Sequence, residues 1–153
     1  MTIHIMIGPP CSGKTTKARK MLKEVNHGDV LRFNRDELRK MMLGFVDTNN
    51  GFVEQSINEL TKYTVHRCVY ANMDLIVDAT HCKPSYINQI KNLVPAGMLV
   101  NYNYVICDVP YWKQRWRNFW RWAGGGGWIP RDVSKNMERN FRNTLELIKA
   151  DKV

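Results

Sequence analysis

The stretch Gly8-Pro9-Pro10-Cys11-Ser12-Gly13-Lys14-Thr15 fits the spacing G-x-x-x-x-G-K-[ST] at every position. A strand-like run, Thr2 to Ile7, leads into it, and a helical pattern from Lys14 to about Val25 leads out. That context makes it a phosphate-binding loop (a Walker A motif) rather than a chance match. The glycines let the backbone curl so that its N–H groups point at phosphate oxygens, and the helix start adds the positive end of its dipole. Lys14 is expected to reach the β and γ phosphates, and the Thr15 hydroxyl to serve as a ligand of Mg2+. The segment Gly8, Pro9, Pro10, Cys11, Ser12, Gly13, Lys14, Thr15 and Thr16 is therefore the expected binding site for ATP with magnesium. Cys11 fills a free position and reads as a small spacer.

Outward from this loop, strands and helices alternate. Strands are expected at Asp29–Phe33, Leu75–Val77 and Met98–Cys107. Helices are expected from Asn34, as N-cap with Glu37 as its capping-box partner, to Gly44; over Phe52–Asn72; and from Pro84 to about Val94. Two more follow, over Pro110–Trp122 and from Pro130 onward. The long helix is expected to bury Val53, Ile57, Leu60, Thr64, Cys68 and Ala71, and the last one Val133, Met137, Phe141, Leu145 and Ile148. Alternation of this kind predicts an α/β P-loop fold, with an open parallel sheet flanked by helices on both faces. The 153 residues suit one domain, residues 1–153. The run Gly124 to Gly127 reads as a hinge.

A phosphate loop does not by itself say what is done with the phosphate. The N-K-x-D of switch GTPases is absent, as is the apolar strand ending in D-E of motor ATPases. A kinase is what remains, by analogy with other small P-loop proteins.

Strand 2 runs into Phe33-Asn34-Arg35-Asp36-Glu37-Leu38-Arg39. Ligands of open parallel sheets sit at the carboxyl ends of the strands. Asp36 is placed to accept the proton of an attacking hydroxyl. Arg39, one turn along, is placed to hold an anionic group of the acceptor. The simpler alternative is that Asp36 and Glu37 only favour the helix N-terminus electrostatically. Asp78, in Val77-Asp78-Ala79-Thr80, either orients magnesium through water or pairs with an arginine.

All five tryptophans, Trp112, Trp116, Trp120, Trp122 and Trp128, lie between Tyr111 and Arg131. Lys113, Arg117 and Arg121 recur at four-residue spacing and form a basic stripe. This region is expected to be an Arg/Trp-rich lid: arginines neutralise transition-state charge, some tryptophans pack inward and others stack on a base.

The net charge of +9 points to a polyanionic partner. The four cysteines have no C-x-x-C spacing and read as free thiols. No apolar run approaches the ~20 residues that cross a bilayer, and no signal-peptide layout is present, so a cytoplasmic protein is expected.

Taken together, the loop, Asn34-Arg35-Asp36-Glu37-Leu38-Arg39, the Val77–Thr80 segment, Asp108-Val109-Pro110, Arg117-Asn118-x-x-Arg121 and Ile129-Pro130-Arg131-Asp132-Val133 resemble the kinase domain of the T-even phage polynucleotide kinase-phosphatase family. The resemblance runs through nearly the whole chain. It implies a polynucleotide 5′-hydroxyl kinase of nucleic-acid repair that acts on DNA or RNA ends. It implies Asp36 as general base, Arg39 on the phosphate 3′ of the accepting nucleotide, Asp78 as organiser of the site, and Arg117 and Arg121 as lid arginines. The chain departs from the family in its longer Trp- and Gly-rich lid and in lacking the D-x-D-x-T phosphatase motif. The competing expectations are a kinase for a small hydroxylated molecule and one for a hydroxymethylated base in DNA.

Overall fold

The computed structural model describes residues 1–25, 29–46, 48–79, 82–125 and 127–150. Thr80 and Gly126, which belong to two of the motifs above, lie outside them. The elements are β1 (Thr2–Ile7), α1 (Lys14–Glu24), β2 (Val30–Asn34), α2 (Arg35–Leu43), α3 (Gly51–Tyr70), β3 (Asp74–Asp78), α4 (Pro84–Lys91), β4 (Asn101–Ile106), α5 (Tyr111–Ala123) and α6 (Arg131–Ala150).

The strands form one parallel sheet in the order β2-β3-β1-β4. Strand residues alternate between faces, and here both faces are covered. Ile3, Ile5 and Ile7 of β1 join Leu75 and Val77 of β3 beneath Val65 and Cys68 of α3, Ile87 and Ile90 of α4, and Phe141, Leu145 and Ile148 of α6. Met6, Ile76 and Val105 turn to the other face and meet Ala18 of α1. Each fully buried isoleucine stabilises this arrangement by roughly 1.5–3 kcal/mol relative to exposure.

Two burial expectations are corrected. On α3 the buried line is Val53, Ile57, Thr61, Val65, Cys68 and Val69, whereas Leu60 is exposed, Ala71 lies beyond the helix and Thr64 is half-buried. Thr61 tolerates burial because its hydroxyl donates to Ile57 O at 2.6 Å and accepts from Arg35 Nη1 at 3.4 Å. On α6, Val133 is exposed and Met137 half-buried, while Ser134 and Thr144 are buried. Thr144 can be so because its hydroxyl bonds to Cys82 O and Asn140 O, each at 2.9 Å.

The capping box at α2 forms only by half. Asn34 Oδ1 accepts from Glu37 N at 2.7 Å, but the Glu37 carboxylate turns to Arg32 and Arg19 instead of the cap. Gly44 ends α2 at φ 79°, a left-handed conformation that glycine adopts without a side-chain penalty.

Candidate active site

The phosphate loop joins the carboxyl end of β1 to α1. Its turn uses left-handed backbone at Cys11 (φ 60°) and Gly13 (φ 95°). Gly13 caps α1 without a side-chain hydrogen bond, so the first N–H groups of the helix have no cap acceptor. Gly8 is needed for closeness: a Cβ there would meet Cys107 O at 2.5 Å and Ser12 Oγ at 2.7 Å.

Lys14 is buried and donates from Nζ to Gly8 O at 2.8 Å and Pro9 O at 2.7 Å. Burial pushes its pKa down from the usual lysine value, opposed by the nearby Cys82 and Asp78. Cys82, whose thiol burial pushes up to about 11, stays protonated and donates to Gly8 O at 3.1 Å. The Ser12 hydroxyl is buried and has no hydrogen-bond partner among the described residues, which suits a loop whose donors await an anion. The donor set fits a nucleoside triphosphate with a divalent cation. The loop N–H groups and Lys14 would hold the phosphates, and Thr15 the Mg2+, which supplies charge neutralisation at the transferring group when bound.

Of the two roles open to Asp78, the structure supplies the pairing with arginine. Its Oδ2 accepts from Arg32 Nε at 3.0 Å and from Asn34 Nδ2 at 2.8 Å, and the carboxylate is almost wholly buried. The partner is Arg32 of β2, which sequence reasoning passed over. A period of two along β2 puts Arg32 and Asn34 on one side of the strand, and that parity was the available signal. Oδ1 of Asp78 accepts from Thr15 Oγ1 at 3.3 Å, so the acid lies beside the hydroxyl expected to face Mg2+. Arg32 continues the chain to Glu37 through two hydrogen bonds of 2.8 and 2.9 Å, and Glu37 reaches Arg19 of α1 at 2.8 Å. The Arg32 guanidinium, against the opposing effect of burial and with help from Arg19, holds the Glu37 carboxyl down at about 2. A continuous ionic path therefore ties the phosphate loop to the start of α2.

Asp36 sits in the first turn of α2 with its side chain 62% exposed. Its Oδ1 accepts from Arg39 Nη1 at 2.6 Å. Arg39 is buried, and its Nε and Nη2 donate to the two oxygens of Glu54 at 2.6 and 2.9 Å. Hydrogen bonds from Arg39 hold the Glu54 carboxyl below the usual carboxylate range, with burial opposing the shift. Glu54 also accepts from Arg35, at 3.1 Å. Glu54 was not singled out in the sequence: it lies on α3, and nothing local links it to α2.

Helix α5 approaches the loop through Arg117, whose Nη1 donates to Cys11 O at 3.2 Å. Arg121 is exposed, makes no hydrogen bond or ion pair among the described residues, and lies 3.7 Å from where a Cβ on Gly127 would be. The two arginines expected to serve a lid are thus placed differently. The expectation that some tryptophans pack inward is overturned: all five are exposed. The inward face of α5 is made of amides. Gln114 Nε2 donates to Val109 O at 2.9 Å and Glu138 Oε2 at 2.7 Å, and Asn118 clamps Ile129 through both its N–H and its C=O. Buried amides are stable where they are hydrogen-bonded, and they hold α5 to the segment following the glycine run.

A parallel sheet, a Walker A loop with its lysine and threonine in place, and an acid beside that threonine define a P-loop kinase. Over residues 3–143 the chain matches the family described as AAA domain, and it belongs to that family. Among solved structures it is similar to a chain of the Pnkp1/Rnl/Hen1 RNA repair complex, at 22% identity and a TM-score of 0.81, covering 95% of this chain and 45% of that one. It is also similar to a sugar kinase from Janibacter sp. HTCC2649 (16% identity, TM-score 0.60, 92% and 78% coverage). A gluconokinase from Sinorhizobium meliloti 1021 shares the fold as well (16% identity, TM-score 0.54, 91% and 73% coverage). The chain spans less than half the length of the repair-complex chain. No curated protein matches at the sequence level. No helix among the described residues is long and apolar enough to cross a membrane.

Proposed function

We propose that the chain transfers the γ-phosphate of ATP to the 5′-hydroxyl end of a polynucleotide, DNA or RNA. The observation that carries this reading is the contact between Asp36 and Arg39 at the carboxyl end of β2. It joins an exposed carboxylate to a buried guanidinium on one turn of helix, and Glu37, next in sequence, is ionically tied to the phosphate-loop helix. Asp36 takes the proton of the acceptor hydroxyl as its oxygen bonds to the γ-phosphorus and ADP departs. Arg39 holds the phosphate on the 3′ side of the accepting nucleotide and so aims that oxygen. Lys14 holds the β and γ phosphates, and Arg117 and Arg121 neutralise charge that develops on the transferring group. Asp78 keeps Thr15 and Arg32 in position. The net charge of +9 favours a polyanionic acceptor, and the similar chain from an RNA repair complex is consistent with one.

One observation favours a small hydroxylated acceptor instead: Arg39 is already paired with two carboxylates, Asp36 and Glu54. A γ-phosphate transfer screen separates the readings. The acceptors are 5′-hydroxyl DNA and RNA oligomers, nucleoside 3′-monophosphates, bare nucleosides, sugars and hydroxymethylated DNA. Transfer to 5′-hydroxyl oligomers is expected. Transfer confined to sugars or bare nucleosides, or to the base of hydroxymethylated DNA, contradicts the proposal.

A further inference from the structure

Helix α5 carries its apolar residues on the wrong side for a core. Gln114 and Asn118 face inward, and on the opposite side Trp112, Trp116 and Trp120 stand 69, 60 and 57% exposed. Phe119 joins them, with ring centroids 5.8 Å from Trp120, and Trp122 and Trp128 extend the array at 6.3 Å from each other. Large exposed apolar patches mark interaction surfaces rather than solvated ones. Adjacent to this stripe on the helix runs Lys113, Arg117 and Arg121, and Arg117 touches the phosphate loop. Lys113 and Arg121 are exposed.

We infer that the outer face of α5 is a stacking platform for the unpaired bases of a single-stranded nucleic acid, whose phosphates follow the adjacent basic stripe. The inference deepens the polynucleotide reading and rests on it for the direction of the strand, which leaves the acceptor site and runs along α5. Three observations support this occupant over others. Trp116 and Trp120 have centroids 5.9 Å apart, about the rise of four helical residues, and a single strand can place one base per ring at that spacing. They meet edge to face, at 72°, so neither ring is stacked flat on the other and faces remain for a base. A cation follows an aromatic residue on every turn, in Trp112-Lys113, Trp116-Arg117 and Trp120-Arg121, which sets a phosphate-binding charge beside each stacking ring. Aromatic rings beside a basic groove are the common means of holding single strands without reading their sequence.

The test uses 5′-phosphorylated oligonucleotides of dT and of U, about ten residues long, without ATP, so that binding is read apart from transfer. Single strands are expected to quench the tryptophan emission and to bind more tightly than a duplex of equal length. The double variant Trp116→Ala/Trp120→Ala is expected to bind them about tenfold or more weakly, and Trp116→Phe/Trp120→Phe to recover most of that loss. Phosphorylation of a nucleoside 3′-monophosphate by the alanine variant is expected to stay near the wild-type rate, because among the described residues the ring contacts of both tryptophans are with each other and with Phe119, on the exposed side of α5. Oligomer affinity unchanged in the alanine variant overturns the platform. So does quenching by anionic vesicles of phosphatidylglycerol but not by oligomers, which would make the face a membrane surface. A dimer that dissociates in the alanine variant while oligomer affinity holds overturns it too, as an interface between copies. If oligomers bind through the tryptophans yet no 5′-hydroxyl end is phosphorylated, the platform stands and the kinase proposal fails.

Discussion

Arg39 Nη1 donates to Asp36 Oδ1 at 2.6 Å, so the residue proposed to read the acceptor's phosphate is bonded to the residue proposed to take its proton. Glu54 grips the same guanidinium from the other side. Arg39 is therefore fixed before any acceptor arrives, which lowers the ordering cost of binding. Asp36 keeps most of its side chain in solvent.

Asp36→Asn preserves the shape and the contact with Arg39 but cannot accept the proton. Turnover is expected to fall by roughly a hundredfold or more, with the KM for ATP nearly unchanged. Steady-state kinetics check this. Unaltered turnover would return Asp36 to the simpler role of favouring the start of α2.

Arg32 and Asp78 form a buried pair, with side chains 9 and 1% exposed. Arg32→Met leaves the Asp78 carboxylate without its main counter-charge and is expected to cost about 3–5 kcal/mol of stability. Urea unfolding measures this, and a loss under about 1 kcal/mol would mean that Asp78 is balanced by Asn34, Thr15 and the nearby Lys14 without Arg32.

Glu37 supplies an acid-sensitive contribution. Its carboxyl pKa is lowered from 4.5 to about 2, chiefly by the hydrogen bonds from Arg32. A carboxylate with a depressed folded-state pKa stabilises the protein above the unfolded value, and that stabilisation fades as pH falls through the folded one. Melting temperature should therefore drop between about pH 5 and about pH 2, less steeply in Glu37→Gln and less steeply in high salt, since the side chain is 45% exposed. Identical slopes in the two proteins would remove Glu37 from the network.

The legible part of the molecule was the local part. The phosphate loop could be read because its glycines, lysine and threonine act within one turn, and the strands because alternation is a property of neighbours. The orientation of α5 was not legible. Four tryptophans on one helix predict that some pack inward unless it is known that Gln114 and Asn118 find partners at Glu138 and Ile129, 24 and 11 residues away. The same limit hid Arg32, whose partner Asp78 is 46 residues distant, and Glu54, which meets Arg39 only because α3 packs beside α2. On α3, two helical lines of residues were compatible with the apolar spacing, and packing selected the one through Thr61 rather than Leu60.

The central claim is that Arg39 reads the phosphate next to the accepting hydroxyl, and the most direct measurement compares a nucleoside 3′-monophosphate with the bare nucleoside as acceptors. The wild-type protein is expected to show a much higher kcat/KM for the monophosphate. Arg39→Ala should narrow that gap by roughly 1.5–3 kcal/mol, the scale of a hydrogen bond to a charged group. Glu54 is not stranded in this variant, because Arg35 still donates to it at 3.1 Å. A bare nucleoside phosphorylated as well as its 3′-monophosphate, or a preference that survives the loss of Arg39, would contradict the account and point to a small-molecule acceptor.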